Sequence, residues 1–230
     1  EQQPVQLTTT LSDGTSQRSS LTIPAHGKQE VEQTMTVKDA KPWSPEHPNL
    51  YRAHIELSTG DAVDETFGIR TVEYSAEQGL LLNGKPILLN GGCAHHDNGI
   101  LGAAAFDRAE TKRVELMKEA GYNAVRTAHN LPSEAFLEAC DRLGLLVIDE
   151  AFDGWRDAKN DQDYHTLFDE WFAKDIEVMV RRDRNHPSVF CWSIGNEVIE
   201  RKKIEVVTTA RRLREAVHAW DNTRPITSAL

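Results

Sequence analysis

Cysteine is rare in this sequence, and no long apolar run occurs in it. The 230 residues contain three cysteines, Cys93, Cys140 and Cys191, whose spacing to each other and to histidines is not that of a structural zinc site. We interpret all three as buried, free thiols. No segment approaches the roughly 18 consecutive apolar residues of a transmembrane helix, so we predict no membrane partner.

Basic residues are also fewer than acidic residues. Lys and Arg number 26 against 36 Asp and Glu, so the net charge is −10. A nucleic-acid-binding protein would need a basic surface, and we therefore predict no nucleic-acid partner. The first ten residues, EQQPVQLTTT, lack the basic and apolar segments of a signal peptide. The sequence predicts no cellular compartment, and it leaves open whether the full-length protein forms a homo-oligomer.

Short strands separated by turn residues are typical of residues 1–75. In the segment 29–37, Val31, Met35 and Val37 alternate with polar residues, which is the period of a half-buried strand. We predict a partial immunoglobulin-like β-sandwich here, since a complete one has about seven strands and only five are visible. We expect the first strands of this domain to lie outside the sequence. The five predicted strands lie at residues 6–11, 18–23, 29–37, 51–58 and 63–70.

Strands and helices alternate over residues 76–230, as expected for a parallel sheet covered by helices. Either an open doubly wound sheet or a (β/α)8 barrel would fit. The first would normally carry a glycine-rich phosphate turn after its first strand, whereas NGGCAHHD at 90–97 is rich in imidazole and acid. The predicted strands lie at 87–90, 124–127, 145–148, 189–194 and 226–229, and the main helices begin near 107, 133, 167 and 204.

Polar residues cluster at the carboxyl ends of the predicted strands. The enzymes of the barrel class build their sites from the carboxyl ends of their strands, so this placement favours a barrel over an open sheet. We predict a multidomain β plus α/β chain in which residues 76–230 form the first half of a TIM barrel. The residues at the strand ends are His95, Asp97, Arg126, His129, Asp149, Glu150, Asn196 and Glu197.

The run WSIGNE at residues 192–197 is the most informative motif. A carboxyl group that emerges beside an apolar core, as expected for Glu197, suits general acid catalysis. Asn196 can donate and accept hydrogen bonds and therefore suits a hydroxylated ligand. A purely structural role for Glu197, in the first turn of a helix, is equally compatible with the spacing.

The other polar groups are weaker indications. Asp149 and Glu150 could bind a metal, take part in catalysis or form an ion pair with Arg126, and the ion pair is the commonest of these outcomes. His129, taken alone, is more often a structural residue. His95 and the histidine after it would point to opposite faces of a strand, which makes a poor metal site.

Two runs together resemble the acid/base signature of glycoside hydrolase family 2, the family of β-galactosidases, β-glucuronidases and β-mannosidases. They are RRDRNHPS at 181–188 and WSIGNE at 192–197. Five other runs resemble family motifs in the same order, and the resemblance covers nearly the whole chain. These are WSPEHPNLY at 43–51 in the sandwich, FGIR at 67–70 and LNGKP at 82–86 at the domain junction, and NAVRTAHN at 123–130 and DEA at 149–151 in the barrel.

The resemblance implies a retaining β-glycoside hydrolase, most similar to the β-galactosidase type, that acts on a carbohydrate without a cofactor. Glu197 would be its general acid/base, and Asn196 would bind the sugar 2-hydroxyl. Arg126 would lie near the nucleophile, while His129 and His95 would contact the innermost sugar. A β-glucuronidase, another family 2 glycosidase or a non-catalytic carbohydrate-binding fragment are the alternatives.

The sequence also departs from the family pattern. Many members have NRHE where this chain has CAHH at 93–96, and magnesium-dependent β-galactosidases have ETH shortly after DEA, where this chain reads FDGWR at 152–156. We therefore predict no metal. The family's nucleophile, a Glu on strand 7, is expected beyond Leu230. We accordingly expect the chain to be an inactive internal fragment of a full-length protein, called the parent protein below.

Overall fold

The computed structural model of the protein describes residues 3–229 and begins with an antiparallel sheet. Its spatial order is β2-β1-β3-β4, and every neighbouring pair is antiparallel. Exposed and half-buried residues alternate along the second strand, as in a sheet with one covered face. The strands are β1 (Gln3–Leu11), β2 (Ser16–Ile23), β3 (Tyr51–Leu57) and β4 (Ala62–Phe67).

The strand predicted at residues 29–37 is wrong. Val31 lines the same groove as Leu7 and Leu21, so the segment lies across the apolar face of the sheet. The side chain of Gln33 donates to Ser19 Oγ at 2.9 Å, but no strand within residues 3–229 pairs with this backbone. Alternating polarity shows which side of a segment faces apolar surface, whereas a strand also needs a neighbouring backbone to bond.

A small antiparallel sheet of three strands follows, which the sequence analysis did not predict. It consists of β5 (Val72–Ser75), β6 (Gly79–Leu82) and β7 (Lys85–Pro86) in that order. Just before it, Arg70 donates from Nε to the carbonyl oxygen of Pro187 at 2.6 Å, which ties the end of the sandwich segment to the later half of the chain.

Five parallel strands, four α-helices and three short 3₁₀ helices make up the rest of the fold in the described residues. The strand order is β12-β11-β10-β9-β8, and all residues of β11 are buried, as in a sheet covered on both faces. Within residues 3–229 no helix is long and apolar enough to cross a membrane. The elements are β8 (Gly91–His95), α1 (Asp107–Glu119), β9 (Ala124–Ala128), α2 (Glu134–Leu143), β10 (Leu146–Glu150), α3 (Phe168–Asp183), β11 (Val189–Asn196), α4 (Glu205–His218) and β12 (Ile226–Ala229).

The first strand of this sheet differs from the prediction. Residues 87–90 are not a strand, and Leu88 is 89% exposed, whereas β8 begins at Gly91. A Cβ atom at Gly91 would lie 1.8 Å from the carbonyl oxygen of Ala124, so only glycine permits this approach of the two backbones. The glycines concealed the strand in the sequence. His95 is consequently the last residue of β8 and does not lie in a loop after it.

Two of the three cysteines are buried, as predicted, but Cys93 is exposed. It lies on β8, the edge strand of the sheet as far as the structure describes it, where only Ala94 is buried. The spacing of cysteines carries no information about which strand lies at an edge.

Trp43 joins the sandwich segment to the amino-terminal end of the parallel sheet. It is completely buried, and it packs in one apolar cluster with Leu146 and Phe190. Its indole Nε1 donates to the carbonyl oxygen of Asp141 at 2.9 Å.

His186 makes a second contact near this junction. Its Nδ1 lies 2.6 Å from Asp141 Oδ2, and the other carboxylate oxygen accepts from the backbone N–H of Ser188 at 3.0 Å. Burial opposes protonation, but the hydrogen bond and charge of Asp141 outweigh it and raise the pKa of His186. The protonated imidazole therefore stabilises the folded state.

We expect His186→Gln to destabilise the parent protein more at pH 6 than at pH 9. A pKa raised by folding contributes stability that is fully present below the unfolded value of about 6.5 and is lost as the pH rises through the folded value. The loss at pH 6 should be on the order of 1 kcal/mol, from denaturant titrations at both pH values. His218→Gln, at an exposed position on α4, is the matched control. An equal loss at both pH values would contradict this linkage.

Candidate active site

The carboxyl ends of β9, β10 and β11 bring three polar side chains together. Arg126 donates from Nε to Glu150 Oε2 and from Nη2 to Glu150 Oε1, both at 2.9 Å. Nη2 also donates to Asn196 Oδ1 at 2.7 Å. Of the roles left open for Glu150, the structure shows the ion pair with Arg126.

Glu150 is completely buried and accepts hydrogen bonds from several sides. Besides Arg126, His129 Nδ1 lies 2.7 Å from Oε1, and Ser193 donates from Oγ to Oε2 at 2.5 Å. Its backbone N–H donates to Thr127 Oγ1 at 3.1 Å. A buried carboxylate is tolerated only with such partners, and here they occupy both oxygens. Glu150 therefore orients Arg126 and His129.

His129 and His95 lie side by side at the open edge of this cluster. Their ring centroids are 5.0 Å apart and the rings meet edge to face. Because His129 uses Nδ1 toward Glu150, its Nε2 is the nitrogen left for a ligand. His95 is exposed on the edge strand, and its carbonyl oxygen accepts from Arg113. Both predicted histidines can thus reach a molecule bound over the cluster.

The orientation of the Asn196 amide follows from its two partners. Oδ1 accepts from Arg126, and Nδ2 donates to Asp153 Oδ1 at 2.9 Å. If the amide oxygen and nitrogen were exchanged, the Asn196 NH₂ group would face the Arg126 guanidinium, and both groups are donors. The observed orientation is therefore required. Partial burial raises the pKa of Asp153, but the hydrogen bonds from Lys159 and Asn196 outweigh this effect and hold the pKa below its usual range.

Glu197 follows Asn196 but leaves the line of the strand. Its φ angle is 43°, in the left-handed region, and its backbone N–H donates to the carbonyl oxygen of Ala229 at 2.7 Å. The side chain is exposed, so the expected position beside the apolar core is wrong. A helical first-turn position is also not observed, because the next helix, a 3₁₀ turn, begins at Ile199. Sequence periodicity could not show the left-handed residue that turns this side chain outward.

Asp149 lies on the opposite face of β10 from Glu150, as adjacent strand residues must. It is completely buried toward α3, where Asp183 accepts from Arg182 Nε at 2.5 Å. Burial first, and the negative charge of Asp183 second, raise the pKa of Asp149 well above its usual value. Asp149 therefore does not take part in the cluster at the strand ends.

Two further polar residues at this site, Asp153 and Lys159, were not predicted from the sequence. Lys159 donates from Nζ to Asp153 Oδ1 and to the carbonyl oxygen of Asn196, both at 2.8 Å. Both residues lie in the loop after β10, where no periodic pattern marks them. Trp155 in the same loop is buried and donates from Nε1 to the carbonyl oxygen of Ile194 at 2.7 Å, so it packs the loop against β11.

A cavity of about 480 Å³ lies beside the cluster. His129 and Asp153 line one side of it, and Phe152 and Tyr164 contribute aromatic surface. In the described part of the chain, no three His, Cys, Asp or Glu side chains are arranged to hold a metal ion. Since Arg126 neutralises Glu150 and Lys159 neutralises Asp153, the nearby carboxylates already have cationic partners. Metal independence stays a prediction.

Comparison with family models decides the classification. Residues 74–229 match the TIM barrel domain of glycosyl hydrolases family 2, and residues 2–70 match a second model, described as glycosyl hydrolases family 2. The chain belongs to glycosyl hydrolase family 2. The resemblance seen in the sequence is therefore confirmed. So is the predicted fold class, a partial immunoglobulin-like sandwich followed by the first half of a TIM barrel.

Several relatives share this family 2 architecture. Beta-galactosidase BoGH2A of Bacteroides ovatus is 44% identical over 73% of this chain, and a putative beta-glucuronidase of Formosa agariphila is 42% identical over 78%. The chain spans only 20% and 18% of those two proteins. The crystal structure of a family 2 member from Bacteroides cellulosilyticus is 44% identical, with a TM-score of 0.95 over 100% of this chain and 31% of that one.

The predicted site residues of this family 2 chain thus lie at one edge of the barrel sheet. Arg126, His129 and Asn196 are joined directly or through Glu150, and His95 lies against His129. Glu197 extends from the same strand end without contacting that network in the described residues. The signal for Arg126 and Asn196 was their position at the carboxyl end of a strand, while Ser193 and Lys159 gave no signal.

Proposed function

We propose that the parent protein is a retaining β-glycoside hydrolase of the β-galactosidase type, with Glu197 as its general acid/base. The observation that carries this proposal is the strand end at Asn196 and Glu197. Asn196 is fixed by Arg126 and Asp153, and the next residue presents an exposed carboxyl. The name of the Bacteroides ovatus relative supports galactoside as the substrate.

A retaining mechanism needs two carboxyl groups about 5–5.5 Å apart on either side of the glycosidic bond. Glu197 would protonate the leaving oxygen in the first step and activate water in the second. Asn196 has one amide hydrogen beyond the one given to Asp153, and it would donate to the sugar 2-hydroxyl. His129 and His95 would line the innermost sugar site.

The second carboxylate is proposed to lie outside these 230 residues. Glu150 is unsuitable as a nucleophile because it is completely buried and both of its oxygens accept hydrogen bonds. We expect a mechanism-based fluorosugar to label the parent protein outside residues 1–230, as peptide mapping would show. In a Glu150→Gln variant the fluorosugar should label the same peptide, but the rate of labelling should be lower. A label on Glu150 would overturn this assignment.

Substrate choice between galactoside and glucuronide is tested directly. We expect kcat/KM of the parent protein for an aryl β-galactoside to exceed that for the matching β-glucuronide by at least about tenfold, the ratio that about 1.4 kcal/mol of transition-state discrimination gives. The opposite order would favour the β-glucuronidase alternative, which the name of the Formosa relative supports. Activity on neither substrate would favour a non-catalytic carbohydrate-binding protein.

The 230-residue chain by itself should show no glycosidase turnover. We propose that residues 1–75 and 76–230 are two domains and that the nucleophile of the parent protein, a Glu on strand 7, lies outside these residues. The barrel part also exposes Leu88, Ile100 and Phe106, which should cause self-association. Purified chain and its Glu197→Gln variant would be assayed on aryl β-galactoside. Turnover that vanishes in the variant would place a complete site within these residues.

A further inference from the structure

We propose that Lys159 is a positioning residue that holds the peptide bond between Asn196 and Glu197. This inference depends on the proposed role of Glu197. The carbonyl oxygen of that peptide accepts from Lys159 Nζ at 2.8 Å, and its N–H donates to the carbonyl oxygen of Ala229 at 2.7 Å. Both polar atoms of one peptide unit are therefore held, one by a loop ammonium group and one by the neighbouring strand.

The conformation of Glu197 explains why the peptide needs such support. The left-handed φ of Glu197 is unfavourable for a residue with a side chain and persists only where the surroundings enforce it. The other non-glycine residues with positive φ in the described part of the chain, His26, Asp39 and Asn83, lie in turns. Glu197 instead follows directly on a buried strand, and a strand end gives no such freedom.

Lys159 is itself held in place. Its ammonium group donates to Asp153 Oδ1 at 2.8 Å, and only 18% of its side chain is exposed. Its backbone N–H and that of Asn160 donate to Asp163 Oδ2 at 2.7 and 2.8 Å, which closes the loop beneath the side chain. The cation is thus presented by an ordered loop.

Asp153 completes the arrangement, because its Oδ1 accepts from both Lys159 Nζ and Asn196 Nδ2. One carboxylate oxygen therefore links the cation that holds the Asn196 carbonyl to the amide of the same residue. Together Lys159 and Asp153 set the direction in which the Asn196 amide points and the direction in which Glu197 leaves the strand. Neither needs to touch the substrate.

The test is Lys159→Met in the parent protein, which keeps the length of the side chain and removes its charge. A displaced acid/base affects substrates that need leaving-group protonation, so we expect kcat on an alkyl β-galactoside to fall about 10- to 100-fold. With a dinitrophenyl glycoside the first step needs no proton, and its rate should fall less than about threefold. KM should change little. A general structural defect would reduce both rates equally.

Two further variants make the test decisive. Lys159→Arg should recover part of the rate on the alkyl glycoside. Asp153→Asn replaces Lys159→Met if that variant does not fold, and it should show the same larger loss on the alkyl glycoside than on the dinitrophenyl glycoside. The matched control is Lys203→Met, since Lys203 is exposed and pairs with Asp157 in the same loop. Its rates should be unchanged.

Equal losses on both substrates in Lys159→Met and Asp153→Asn, or no loss in either, would refute the positioning role. The result is separable from the proposed function. If Glu197→Gln abolishes acid catalysis while Lys159→Met does not, only the positioning role fails. If Glu197→Gln is fully active, the assignment of Glu197 as the general acid/base is wrong, and the positioning role of Lys159 is lost with it.

Discussion

Glu197→Gln is expected to lower kcat of the parent protein on an alkyl β-galactoside by about 10²–10⁴-fold, the usual contribution of general acid–base catalysis. The amide has the shape of the carboxyl group but cannot give up a catalytic proton or accept one from water. Since Glu197 is exposed and its side chain makes no hydrogen bond or ion pair within the described residues, the exchange should leave stability unchanged. Steady-state kinetics and a thermal melt of the same sample would measure both.

The leaving group provides the internal comparison. Formation of the glycosyl-enzyme from a dinitrophenyl glycoside should be affected less than from an alkyl glycoside, because only the poor leaving group needs protonation. Glu205→Gln, on the exposed first turn of α4, is the matched control and should retain full activity. Unchanged turnover of Glu197→Gln on an ordinary disaccharide would end the assignment.

Trp43→Ala is expected to remove about 3–5 kcal/mol from the free energy of unfolding of the parent protein. The indole is completely buried between the sandwich segment and the barrel, against Leu146 and Phe190. Truncation would leave a cavity there and take the hydrogen-bond donor from the buried carbonyl oxygen of Asp141. Because these contacts join the two parts, the parent protein should unfold at a clearly lower urea concentration.

Two comparison variants separate the contributions. Trp43→Phe keeps most of the apolar surface and loses the indole N–H, so it should cost less than the alanine variant. Trp171→Ala removes an indole that is 40% exposed on α3 and should cost much less. A loss below about 1 kcal/mol for Trp43→Ala would show that the sandwich segment and barrel are not coupled through this residue.

Local patterns predicted the helices well. The α2 helix begins after Ser133, whose Oγ accepts from the backbone N–H of Phe136 at 3.2 Å, and ends at Gly144 with a φ of 75°. Both signals are read from neighbouring residues, which is why the sequence shows them. The start of the strand β12 at Ile226 was also predicted. The strand that begins at Gly91 escaped detection because its first two residues are glycines, and backbone pairing does not require side chains.

From residue 107 to residue 229, the sequence by itself determined the order of α-helices and strands and the polar residues at the carboxyl ends of those strands. That was enough to predict the pairing of Arg126 with Glu150, because neighbouring parallel strands bring their carboxyl ends to one edge. Only the tertiary structure decided that Lys159 reaches the Asn196 carbonyl and that Glu197 turns left-handed out of its strand. These features depend on how a loop folds back over a strand 37 positions away, and no periodic pattern in the chain encodes such a contact.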